Sequence, residues 1–185
     1  MNYVGVAARV LVAAVLLHAA LGKARSPRAQ AALTDVLRAL PGIGRRAAGA
    51  AQVLIAAEVS IAVLALTPAT ARLGAALAAA LLAGFTGGTG WLVYRRVGAA
   101  CNCFGGTGVL LRRDHVARNA ALASVAVLAA LAGPAPDLDR TGALTAAVVG
   151  CLVALLVTRW DDLAGLLAPP AAVRSHPASR TRAEN

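Results

Sequence analysis

The stretch from Leu73 to Tyr94 contains no charged residue. A helix needs roughly 20 mostly apolar residues to cross the hydrocarbon of a bilayer, and a long uncharged run of this kind marks a spanning helix. Four other stretches resemble it. One runs from Tyr3 to Leu21 and is broken only by Arg9 and His18. The next runs from Ala47 to Ala69 with one ionisable residue, Glu58. The last two run from near Val116 to near Ala132 and from Gly142 to Thr158. Open sheets cannot span lipid, because their edge amides would stay unpaired. The expectation is therefore an all-α fold: a polytopic membrane helical bundle of four to five transmembrane helices over residues 1–160. Residues 161–185 form a disordered cytoplasmic tail, since Ala, Pro, Ser and Arg dominate there without an apolar period.

Composition agrees. Hydrophobic residues make up 59% and charged residues 14%, against about 25% charged in a soluble domain. So few charges do not cover a soluble surface. Three cysteines in 185 residues exclude a disulfide scaffold. The first span reads as permanent rather than as a signal peptide. It lacks a basic leader and an A-x-A-like cleavage site, and Lys23, Arg25 and Arg28 follow the apolar run.

The net charge of +10 suggests nucleic acid until its distribution is examined. Lys23, Arg25, Arg28, Arg38, Arg45 and Arg46 lie in the first connection; Arg95, Arg96, Arg112 and Arg113 in the third; Arg159, Arg174, Arg180 and Arg182 at the C-terminal end. The second and fourth connections hold only Arg72 and Arg140. With five spans all three basic segments share one side. The positive-inside rule then predicts the N-terminus outside and the C-terminus in the cytoplasm of a multi-pass cell-membrane protein. No aromatic residues interleave the basic ones as base-stacking platforms, so no nucleic-acid partner is expected. The lipid bilayer is the expected partner.

Two connections have local patterns. Ser26-Pro27 opens a short helix with an N-cap and a proline at its first position. Ala29, Leu33, Val36, Leu37 and Leu40 share one face, and Pro41-Gly42 ends it. That face suits either the headgroup plane or the bundle itself. The third connection is apolar and Gly-rich between two arginine pairs, which suggests a hairpin folded against the bundle end. It holds Cys101 and Cys103. A C-x-C pair can close a small, strained and exchange-competent disulfide ring. It can give two thiolates to a soft metal, with His115 as a third ligand. Or it can pack as two small hydrophobes. A full metal site needs more ligands, so none is expected, and redox chemistry is the leading reading.

Glu58 is the second candidate. A carboxylate in mid-membrane costs at least about 2.5 kcal/mol, so it should face the bundle interior, with Arg9 as partner. The pair is either a structural clamp or a proton or substrate site. His18, Lys23 and Asn119 cluster toward the same side as the cysteines and are candidates to line one cavity. Cys151, in mid-span, reads as a buried packing residue. Gly84, Gly87, Gly88 and Gly90 read as a close-packing face inside the bundle.

These residues carry a resemblance. Gly22-Lys23 ends the first span and Glu58 lies within the second. Cys101-Asn102-Cys103-Phe104-Gly105 follows the third, and Arg118-Asn119 opens the fourth. Over roughly Met1 to Ala132 the chain resembles the MauE family of methylamine-utilisation membrane proteins, near the DoxX-like group. Asn102 departs from the glycine expected there, which changes turn flexibility but keeps both thiols. The resemblance implies a role in thiol–disulfide redox or maturation of an amine dehydrogenase, with a thioredoxin-like partner. Cys101 and Cys103 would be catalytic. A quinone is a candidate electron acceptor that no residue identifies. Such a role belongs outside the cytoplasm, whereas the charge pattern puts the cysteines inside. The alternative is a DoxX-like protein that binds a small molecule or lipid through Glu58, with the cysteines not catalytic.

Overall fold

A computed structural model describes residues 2–96, 113–132 and 139–160. They form six α-helices: α1 (Asn2–Ala24), α2 (Pro27–Ala39), α3 (Ala47–Leu66), α4 (Ala71–Tyr94), α5 (Arg113–Leu131) and α6 (Arg140–Thr158). No strand occurs among the described residues. Cys101, Cys103 and the 161–185 tail lie outside the described residues.

Four helical segments are long and apolar enough to cross a bilayer; they contain α1, α3, α4 and α6. The opening turns of α5 carry Arg113, Asp114, His115, Arg118 and Asn119, which lowers its apolar content. It nevertheless runs the length of the bundle. Val116 near its start lies beside Gly90 of α4, and Ala132 just past its end lies against Gly5 of α1. Helix α4 returns antiparallel to α3, since Gly74 packs on the backbone of Leu64 and Ala65. Helix α6 runs parallel to α1: Gly142 meets the ring of Tyr3, and Gly150 meets the Ala7 carbonyl and Val10. Helix α1 touches all five other helices and is the most buried of the candidate spans.

The core is made of small side chains. Ala13, Ala62, Ala78 and Ala126 are fully buried, and Val12, Val15, Leu16 and Leu82 fill the gaps between them. Inside lipid the apolar transfer energy is nearly absent, so association depends on close packing, and small residues let backbones approach. The outward faces are apolar. Helix α6 turns Leu144, Val148, Leu152, Leu155 and Leu156 away from the protein, as a lipid-facing surface requires. Its packed stripe is Ala146, Gly150, Ala154 and Thr158, at helical spacing. Cys151 follows Gly150 by one residue, about 100° further round, and is exposed on the outer face. The expectation that it packs inside is overturned.

The glycine cluster of α4 divides. Gly88 contacts Leu40 and Gly90 contacts Val116, whereas Gly84 and Gly87 face open space. The expected internal packing face therefore holds for half the cluster. Helix α2 begins as its sequence dictates, with Ser26 Oγ accepting from the Ala29 amide at 3.1 Å. Its Ala29, Leu33 and Val36 are buried, and the helix packs on α1 and α3. The apolar face thus meets the bundle.

Exposed basic residues gather at one end. Arg25, Arg28, Arg38, Arg45, Arg46, Arg95, Arg96, Arg113 and Arg159 are all exposed where α1, α4 and α6 finish and α3 and α5 begin. The opposite end has Arg72 and Arg140. Trp91, Tyr94 and Trp160 lie at the basic end, and the Arg95 guanidinium sits 5.5 Å from the Trp91 ring centroid. Such a basic and aromatic collar is the anchor expected at one bilayer interface.

Candidate functional site

Four helices converge on one small pocket, apolar but for three buried polar side chains, below the basic end. Helix α1 supplies Lys23, α3 supplies Glu58, α4 supplies Leu82 and Phe85, and α5 supplies Asn119. Glu58 is completely buried, Lys23 is 2% exposed and Asn119 3%. Lys23 Nζ donates to Glu58 Oε1. The ammonium also lies 5.2 Å from the Phe85 ring centroid, within the roughly 6 Å reach of a cation–π contact.

The partner of Glu58 is therefore Lys23 and not Arg9. Equal depth of the two spans would have put Glu58 opposite the middle of α1. Instead Glu58 lies level with the last turns of α1. Arg9 is about 21 Å further along that helix at 1.5 Å per residue. Lys23 reaches because the Cα–Cβ bond of a helical residue tilts toward the N-terminus, which here is into the membrane. It sits inside α1, which continues to Ala24, and is not solvated at the interface. A signal for this exists in the sequence. Val12, Leu16, Ala19 and Lys23 recur at helical spacing, and all four are buried. The lysine continues the packed stripe.

Lys23 and Asn119 thus line one pocket with Glu58. His18 is half-buried and does not line it. Asn119 belongs to the buried face of α5, with His115, Leu122, Ala126 and Ala129. Two acceptors of the pocket residues, Glu58 Oε2 and Asn119 Oδ1, are buried without a hydrogen-bond partner. Buried acceptors are nearly always satisfied, and each exception costs about 1–3 kcal/mol. The pocket volume is about 10 Å³, enough for about one water molecule. Among the described residues no three His, Cys, Asp or Glu side chains gather as a metal site.

The connection carrying Cys101 and Cys103 leaves α4 and enters α5 at the basic end, where Gly90 and Val116 adjoin. It spans 97–112 and lies outside the described residues. The helices it joins are those that bring Phe85 and Asn119 to the pocket.

Neither a curated protein nor a solved structure matches the chain. The sequence model of one family, described as methylamine utilisation protein MauE, matches residues 1–132. The match covers α1 to α5, every pocket residue and both cysteines of the C-x-C pair, and stops before α6. On that match, the chain is an integral membrane protein of the MauE family.

Proposed function

We propose that this protein is a membrane thiol–disulfide exchange component serving the maturation of an amine dehydrogenase. Cys101 and Cys103 are the redox couple. The observation that carries the reading is the place of the C-x-C pair in the chain, between α4 and α5. Both of these helices also supply residues to the pocket that holds the Lys23–Glu58 pair. The family description, methylamine utilisation, supports amine metabolism as the setting.

The chemistry is exchange with a thioredoxin-like partner. One cysteine thiolate attacks a sulfur of the partner's disulfide, forms a mixed disulfide and releases the partner's other sulfur as a thiolate. The second cysteine attacks that mixed disulfide, closes the Cys101–Cys103 bond and frees the second partner thiolate. Two electrons and two protons pass from this chain to the partner; the reverse sequence returns them. The cysteine nearer a cation is the stronger thiolate, and Arg96 and Arg113 flank the connection. The excess of exposed arginines at the cysteine end supports a cytoplasmic location for that end, with the N-terminus outside.

A second reading is favoured by the two unpartnered acceptors: a DoxX-like protein that binds a small molecule through Glu58, with the cysteines idle. The test uses Cys101→Ser and Cys103→Ser in cells, with acid trapping and alkylation. The exchange reading expects one single variant to accumulate a mixed disulfide with a partner protein, and the double variant to lose it. If neither variant changes any thiol state while Glu58→Gln abolishes function, the second reading stands instead.

A further inference from the structure

We propose that Lys23, Glu58 and Asn119 form a binding site for one water molecule, which donates to Glu58 Oε2 and Asn119 Oδ1. Three observations lead there. Both oxygens belong to residues at least nine-tenths buried that line the same pocket, and neither has a protein donor. The pocket volume of about 10 Å³ has room for about one water. The charges also decide the ligand. Lys23 and Glu58 neutralise each other, so a cation would lie beside the ammonium and an anion would face two acceptors. A neutral molecule with two donor hydrogens meets both needs. Its oxygen is also a suitable acceptor for a remaining ammonium hydrogen of Lys23.

This water has a structural consequence. Asn119 is the α5 residue that lines the pocket of the ion pair. With the water, hydrogen bonds join α5 to α1 and α3 at the level of Glu58. Bridging waters are nearly as good as direct hydrogen bonds and cost at most about 2 kcal/mol of ordering. The site stands on the pocket geometry alone and does not depend on the thiol reading.

X-ray radiolysis of the full chain in lipid nanodiscs tests it. Hydroxyl radicals made from a bound water oxidise the side chains beside it, and mass spectrometry locates the product. Leu82 lines the pocket and is 2% exposed, so its oxidation requires an internal water. Leu82 and Phe85 are expected to be oxidised in the unaltered chain. Asn119→Leu fills the pocket and removes one acceptor, and should lower that oxidation several-fold. Asn119→Asp keeps the size and the acceptor and should retain it; this variant decides the matter if Asn119→Leu does not fold. An unoxidised Leu82 in the unaltered chain overturns the proposal. So does equal oxidation in a folded Asn119→Leu variant, or loss of oxidation in a folded Asn119→Asp variant.

Discussion

Replacing Lys23 and Glu58 singly and together separates the cost of a lone buried charge from the value of the pair. In Lys23→Met both Glu58 oxygens lose any donor, because Oε2 has none already. In Glu58→Leu the ammonium keeps the Phe85 face at 5.2 Å, worth about 2 kcal/mol when desolvated. Removing one member of a buried pair typically costs about 3–5 kcal/mol. Lys23→Met should fall in that range and Glu58→Leu at its lower edge. At about 1.4 kcal/mol per tenfold, each shifts the unfolding equilibrium by at least about 100-fold. The double variant Lys23→Met/Glu58→Leu removes both charges and fills the space with apolar atoms, and its stability should return to within about 1 kcal/mol of the parent. The measurement is reversible unfolding in mixed micelles by added dodecyl sulfate, followed by Trp91 and Trp160 fluorescence. Single variants that each cost less than about 1 kcal/mol, as a solvated surface pair would, refute the buried-pair reasoning. A double variant as unstable as the two singles summed refutes it as well. If the double variant folds and its cellular function is lost, the pair does more than clamp α1 to α3.

Two further predictions concern packing and orientation. A Cβ on Gly150 would lie 2.5 Å from the Ala7 carbonyl oxygen and one on Gly74 would lie 2.2 Å from the Ala65 amide nitrogen. Gly150→Ala and Gly74→Ala should therefore each cost about 1–3 kcal/mol. Gly87→Ala, which meets open space, should be neutral or stabilising by up to about 1 kcal/mol. The same unfolding assay ranks the three. After reduction, an impermeant maleimide should label Cys101 and Cys103 only once the cell membrane is opened, and should leave Cys151, on the apolar outer face of α6, unlabelled in both conditions. Labelling of the pair in intact cells would reverse the proposed orientation.

The all-helical membrane bundle was legible in the sequence because lipid leaves the backbone few choices. An apolar run of spanning length must be helical to satisfy its amides, and each run from Tyr3–Leu21 to Gly142–Thr158 became a helix within a few residues of its expected ends. The two-sided charge distribution was equally plain, since arginines in connections need no partner to stay at the interface. Glu58 was identifiable as an inward-facing group because its charge has nowhere else to go. Its partner was not identifiable, because partner choice depends on how far one helix slides along another. That displacement is set by packing between α1 and α3, and it brought Lys23 rather than Arg9 to the carboxylate. The side on which Cys151 lies depended in the same way on the helical face α6 offers to α1. Asn119 reached the pocket because α5 runs antiparallel beside α4, which sets both the rotation and the level of its polar first turns. The amino-acid sequence by itself determined which segments enter the membrane and which end is basic. Only the tertiary structure decided which polar groups meet there, because axial shift and rotation of packed helices are properties of pairs and not of single segments.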